Sequence, residues 1–280
     1  MIVKTVSYTD RAASGKLTES LRKTGFAVLN NHPIPKSLIN ETYKQWENFF
    51  NLENKNQYLF NKDTQDGFFP FGTENAKGNK AKDLKEFYHI YSWGKYPREI
   101  NNSTLELYEK IIILTKNILQ WIQDQSPSEV RSLFSIPLPK MIEKSQNHLL
   151  RILHYPPLNG NEQEGAIRGA AHEDINLITL LVAGTQPGLQ VQDINGTWHD
   201  VSCDIGSIAI NTGDMLSEAS NGYFPSTTHR VINPNKQIKN KSRYSMPLFL
   251  HPRDDVILSD KYTAGSYLKE RIKEIGLRSK

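Results

Sequence analysis

His172-Glu173-Asp174-Ile175-Asn176-Leu177-Ile178-Thr179-Leu180-Leu181-Val182 is the stretch whose reading decides the fold. Read as one β-strand, it puts His172 and Asp174 on a common face and turns Glu173 away, because alternate strand residues share a face. Working outward, short apolar runs with period 2 recur at 148–155, 188–193, 207–211, 227–232 and 243–251, with turn signals between them. Asn195-Gly196, followed by Thr197-Trp198, is a hairpin turn. Many short strands in succession predict a sandwich or jelly roll, not a parallel sheet with crossover helices.

Before about Asn147 the period is closer to 3.6. Asn31-His32-Pro33-Ile34-Pro35 ends a strand at 26–29, and a helix starts near Lys36 with Leu38, Ile39, Tyr43, Trp46, Phe49 and Phe50 at helical spacing. A second helix has Ser103 and Glu106 in capping-box register, with Tyr108, Ile111, Ile112, Leu119 and Ile122 as its apolar stripe. Ser126-Pro127-Ser128-Glu129 predicts the start of a third. Thr263 opens a C-terminal helix carrying Tyr267, Leu268, Ile272 and Ile275. The expected class is mainly β with flanking helices, divided into a mostly helical region 1–143 and a jelly-roll core with C-terminal helix, 144–280.

The 280 residues are 38% hydrophobic, enough for a well-buried core. A net charge of +4 is too mild to argue for nucleic acid, and no apolar run is long enough to span a membrane. The densest basic stretch, 236–243, reads as a solvated loop between strands, with Arg243 at its end as the exception. Cys203 is the only cysteine, so no internal disulfide can form, and a reducing, cytoplasmic setting is expected. The thiol itself reads as a small packing side chain.

His229, in Ser226-Thr227-Thr228-His229-Arg230-Val231, lies far along the chain from His172 and Asp174. Distant strands meet at the mouth of a jelly roll, so a third ligand is expected from such a distance. Two imidazoles and one carboxylate can cap one face of a ferrous ion and leave the other open; Mn, Co, Ni or Zn could occupy the same donors. There is no His-Glu-x-x-His and no cysteine pair of the usual zinc kinds. Arg243 and Ser245 also stand two apart, so a guanidinium and a hydroxyl share a face and can hold a carboxylate. Tyr155 comes from an earlier strand and could add a phenol donor. These parts describe an oxygen-activating iron enzyme.

Taken in order, several motifs resemble the isopenicillin N synthase-like family of Fe(II) and 2-oxoglutarate-dependent oxygenases. They are Leu150-Arg151-Ile152, Ala171-His172-Glu173-Asp174, Pro187-Gly188-Leu189-Gln190-Val191, Asn211-Thr212-Gly213-Asp214-Met215, the His229 segment and Arg243-Tyr244-Ser245. Gly25-Phe26, Asn31-His32, Phe49-Phe50, Gly67-Phe68 and Asp83-Leu84-Lys85-Glu86 extend the likeness through the N-terminal half. The resemblance implies a distorted double-stranded β-helix, with Fe(II) held by His172, Asp174 and His229. It further implies 2-oxoglutarate chelating that metal, its far carboxylate on Arg243 and Ser245, and O2 as the oxidant. Tyr155 matches a tyrosine that assists there, although Leu153-His154 departs from the usual Asn-x-Tyr. No catalytic side chain beyond the metal ligands is implied, and the presence of Asp174 argues against a halogenase. The expected reaction is hydroxylation, desaturation or ring closure of a small organic substrate, with release of succinate and CO2. Isopenicillin N synthase itself needs no 2-oxoglutarate and uses its Arg-x-Ser pair on the substrate carboxylate, a reading that the motif alone leaves open. A non-catalytic jelly-roll binding protein is the remaining alternative. The resemblance places Phe69, Phe71, Glu86 and Tyr88 near the entrance, where each could equally be packing.

Overall fold

The computed structural model describes residues 1–74, 81–235 and 239–274. The first half comprises β1 (Lys4–Ser7), α1 (Ala13–Thr24), β2 (Phe26–Asn30), α2 (Lys36–Phe50), a 3-10 turn (Lys55–Tyr58), β3 (Gly67–Phe69), β4 (Glu86–Ile90) and α3 (Ser103–Gln125). Two single-turn helices follow, α4 (Ser128–Arg131) and α5 (Leu138–Met141). The second half contains β5 (Leu149–Tyr155), β6 (Gly169–His172), β7 (Ile178–Val182), β8 (Leu189–Gln192), β9 (Trp198–Asp200) and β10 (Ile208–Thr212). It closes with α6 (Asp214–Ala219), β11 (His229–Val231), β12 (Arg243–Leu250) and α7 (Ala264–Glu274).

The strands form an eight-stranded sheet, β1-β2-β10-β7-β12-β5-β4-β3, and a four-stranded sheet, β6-β11-β8-β9. Alternation along each strand sorts the side chains into two cores. Phe26, Val28, Leu153, Tyr155 and Ala209 of the large sheet pack with Leu189, Val191 and Val231 of the small one, so the two sheets face each other as a double-stranded β-helix. The opposite face of the large sheet carries Ile152, Leu180, Val182, Met246 and Leu248, against which α1, α2 and α3 bury Leu21, Trp46, Phe49, Ile111 and Ile118. Each such side chain contributes about 1.5–3 kcal/mol by leaving water. Central strands such as β7 are covered on both faces, so Ile-Thr-Leu-Leu-Val shows little alternation. Residues before 144 supply both edges of the large sheet, β1-β2 and β4-β3.

Several expectations need correction. Residues 172–182 are not one strand: β6 stops at His172, β7 starts at Ile178, and the two belong to different sheets. The backbone between them is bonded elsewhere, with Asp214 N–H donating to the Asp174 carbonyl and Met215 N–H to that of Asn176. A helix does start within Ser126–Glu129, but it is only the single turn α4 from Ser128, and Ser126 is not its cap: that hydroxyl donates back to Ile122 O at 2.6 Å, ending α3. The capping box at Ser103 is not formed either, because the side chain of Asn101 takes the Ser103 N–H. Thr263 does cap α7, accepting from Ser266 N–H. Ile275 and residues 236–238 of the basic stretch lie outside the described residues.

His148 is buried as a neutral ring: Nε2–H donates to Ile142 O at 3.0 Å and Nδ1 accepts from His251 N–H at 3.3 Å. Burial pushes both His148 and His251 down to about 4. Their folded values lie below the ordinary value of about 6.5, so the unfolded chain binds the extra protons and stability falls as pH drops below that value. Urea unfolding should therefore show a loss of roughly 2–4 kcal/mol between pH 7 and pH 5 from these two rings. A flat profile would contradict the assignment.

Candidate active site

β6 ends and β11 begins at one point, where His172 and His229 are direct partners across the ladder. Asp174 reaches them from the connection after β6, so the alternation argument for His172 and Asp174 does not apply. The three side chains converge all the same, with one potential ligand atom from each lying within 4.8 Å of the others. His172 Nδ1 is 2.8 Å from Ala170 O, and His229 Nδ1 is 3.1 Å from Thr227 O. A carbonyl only accepts, so both Nδ1 atoms carry the proton and both Nε2 atoms present lone pairs. Each Nε2 is 3.7 Å from Asp174 Oδ1. Donors about 2.1 Å from one ion stand roughly 3–3.5 Å apart, so the set fits a divalent cation after a small contraction.

The other Asp174 oxygen is already engaged. Oδ2 accepts from Thr179 Oγ1 at 2.6 Å and from Asn211 Nδ2 at 2.7 Å, which leaves Oδ1 aimed at the histidines. Burial alone would raise the carboxyl's pKa, but the histidines, Asn211 and Thr179 together keep it low and the group ionised. Enclosure of its nitrogens, and then the neighbouring His229, push His172 down to about 4, although one side of the ring opens to solvent. Thr179 and Asn211 were missed in the sequence, although both alternate onto the interior face of β7 and β10. Gly213 is the other support: a Cβ there would sit 2.1 Å from Asn176 O, so only glycine lets α6 approach the Asp174 segment.

Arg243 and Ser245 share the interior face of β12, both almost fully buried. Arg243 donates from Nε to Gln186 O at 3.0 Å and from Nη1 to Ser245 Oγ at 3.1 Å. The serine hydroxyl proton therefore stays available for an anion. Tyr155 faces Arg243 across the ladder, and its ring lies 5.2 Å from the guanidinium. Arg243 is thus a buried strand residue, as its spacing from Ser245 predicted.

The remaining interior wall is polar. Lys85 Nζ is 2.8 Å from both Glu74 and Asp83, Arg151 Nη1 is 3.2 Å from Glu74, and Arg151 Nε donates to His89 Nε2 at 2.8 Å. His89 is held neutral by burial and next by the Arg151 charge. Phe69 and Phe87 stack at 4.5 Å on the same face, and Arg151 lies over the rings of Phe87 and Phe249. Of the expected entrance residues, Phe69 is in this wall and Phe71 is exposed. Glu86 and Tyr88 point to the helical side, where Glu86 bonds Lys55 and His154 and Tyr88 packs on Trp46. Strand parity puts Phe87 and His89 inside in their place. Cys203 is half-buried, and burial raises its thiol to about 12.

A jelly roll with a convergent two-imidazole, one-carboxylate site and a buried arginine-serine pair defines a non-haem metal oxygenase. Comparison with known proteins agrees. Residues 146–252 match the 2OG-Fe(II) oxygenase superfamily, and residues 5–107 match the family described as non-haem dioxygenase in morphine synthesis N-terminal. A structure from Shewanella oneidensis described as an oxygenase is 53% identical, with 99% of this chain and 100% of that one covered and a TM-score of 0.90. A 2OG-Fe(II) oxygenase family protein from Caulobacter crescentus is 30% identical over 98% of this chain and 99% of its own, with a TM-score of 0.81. The 2-oxoglutarate-Fe(II) type oxidoreductase hxnY of Emericella nidulans is 29% identical over 88% of this chain and 77% of its own length. The chain belongs to the 2OG-Fe(II) oxygenase superfamily and is an Fe(II)- and 2-oxoglutarate-dependent dioxygenase.

Asn211→Ala and Thr179→Ala should each weaken Mn(II) binding by about tenfold and lower the metal-free melting temperature by a few degrees, because a buried carboxylate oxygen loses a donor. Gly213→Ala should lower both, because the added methyl must displace the Asp174 segment or α6. Calorimetric titration and thermal melts read the two effects separately; undiminished metal affinity in all three variants would contradict the account.

Proposed function

We propose that His172, Asp174 and His229 hold the iron of this dioxygenase, and that Arg243 and Ser245 take the far carboxylate of 2-oxoglutarate. Tyr155 flanks that guanidinium and limits its movement. The observation that carries the reading is the orientation of the three donors: each imidazole is pinned through Nδ1 to a carbonyl, and Asp174 is pinned through Oδ2, so all three free lone pairs meet at one point. Bound there, iron supplies the redox chemistry that couples oxidation of a C–H bond by O2 to conversion of 2-oxoglutarate into succinate and CO2. The protein's own part is to orient the co-substrate, hold the substrate beside the open face of the metal and exclude water.

Residues 144–280 carry the chemistry in this reading, and residues 1–143 frame it by closing both edges of the large sheet. The substrate is a small organic molecule admitted along the wall of Phe69, Phe87, Lys85 and Arg151, a lining that offers aromatic faces together with paired charges. Neither nucleic acid nor a membrane is a partner; among the described residues no helix is long and apolar enough to cross one. A reducing, cytoplasmic setting suits a chain whose single thiol is half-buried and un-ionised.

His172→Ala should abolish 2-oxoglutarate-coupled turnover by removing one of three ligands, and retained succinate formation would refute the metal assignment. Arg243→Ala should raise the 2-oxoglutarate requirement by roughly 10- to 100-fold while leaving metal affinity within about twofold of the parent. An unchanged requirement would count against the clamp.

A further inference from the structure

Arg168 immediately precedes β6, which is bulged between its Gly169–Val231 and His172–His229 pairs, so its place follows from its own bonds and not from strand alternation. It is completely buried. Its Nη2 donates to Lys241 O at 2.7 Å, which draws the guanidinium to the start of β12, two residues from Arg243. Nε and Nη1 are both buried and have no partner. Among the described residues no carboxylate forms an ion pair with either Arg168 or Arg243, whereas Lys85 and Arg151 on the same wall are both paired with Glu74. Burial, and next the charge of Arg243, push Arg168 down to about 10, and Tyr155 opposes the shift, so the three side chains share one electrostatic neighbourhood.

A buried guanidinium with two idle nitrogens costs stability unless an anion meets it. Arg168 is such a cation, and Arg243, whose Nε and Nη1 are already bonded, lies close enough for its charge to act on it. Resting on the reading of Arg243 above, we propose that Arg168 is a second anchor for the same ligand, donating to the far carboxylate of 2-oxoglutarate from the side opposite Ser245. The carboxylate is then gripped from two strands, β12 and the start of β6. Because β6 ends in His172, one rigid strand registers both the co-substrate's tail and the metal. Arg168 is a binding residue in this account and takes no part in bond making.

The test is anaerobic calorimetric titration of the Mn(II)-loaded full chain with 2-oxoglutarate and with 2-oxobutanoate, a 2-oxo acid that lacks the far carboxylate, alongside ligand-free thermal melts. Arg168→Met should weaken 2-oxoglutarate binding by about tenfold or more, leave 2-oxobutanoate within about twofold, and melt no lower than the parent, since a buried unpaired charge has been removed. Arg168→Lys should bind 2-oxoglutarate with intermediate affinity. Unchanged 2-oxoglutarate affinity in Arg168→Met, with affinity lost in Arg243→Met, would overturn the proposal and leave the proposed function standing. Unchanged affinity in both variants would overturn the Arg243 clamp as well. Equal weakening toward the two acids, or a lower melting temperature without ligand, would show that Arg168 serves the fold and would also overturn the proposal.

Discussion

The bond pair from Thr179 and Asn211 to one oxygen of Asp174 is the interaction on which the rest of the site depends. A carboxylate in a loop has two equivalent oxygens and free rotation about its terminal bond. Two donors on neighbouring strands of the large sheet remove that freedom and leave a single oxygen directed at the histidines. The histidines come from the small sheet, so the metal position is defined only when both sheets are packed. The same bonds therefore tie the chemistry to the integrity of the β-helix. Gly213 completes the arrangement by letting the backbone of α6 come close enough to hold the Asp174 segment.

Charge is distributed unevenly inside the barrel. Lys85, Arg151, Glu74 and Asp83 compensate one another, so that wall carries no lone charge. Arg243 and Arg168 have carbonyl and hydroxyl partners but no acid among the described residues. A buried cation without an acid partner costs stability, and this is the ground on which we propose a dianionic co-substrate as the species that completes the interior. Tyr155, packed against Arg243 by its ring, restricts the conformations open to the guanidinium.

The legibility of individual residues in the sequence follows how local their geometry is. Arg243 and Ser245 really do alternate on one strand, so their spacing predicted a shared face correctly. The argument for His172 and Asp174 used the same rule across a strand end and reached a true convergence by a wrong route, since β6 stops before Asp174. Glu86 and Tyr88 were grouped near the entrance with Phe69, yet parity along β4 sends them to the helical core and brings Phe87 and His89 inside. Arg168 was not legible, because the bulge in β6 between Gly169 and His172 breaks the alternation that would tie it to His172. Its burial is a consequence of sheet packing that no local pattern reports.

By itself, the sequence determined the class of fold and singled out the candidate metal donors and the arginine-serine pair, because periodicity and residue chemistry are properties of short stretches. It also carried the family likeness through an ordered series of motifs. Only the tertiary structure decided that 172–182 is split between two sheets, that Asp174 is aimed by Thr179 and Asn211, and that two uncompensated guanidiniums meet in one interior. Those outcomes depend on which strands become neighbours and on how closely their backbones approach. Both are settled by packing between residues far apart in the chain.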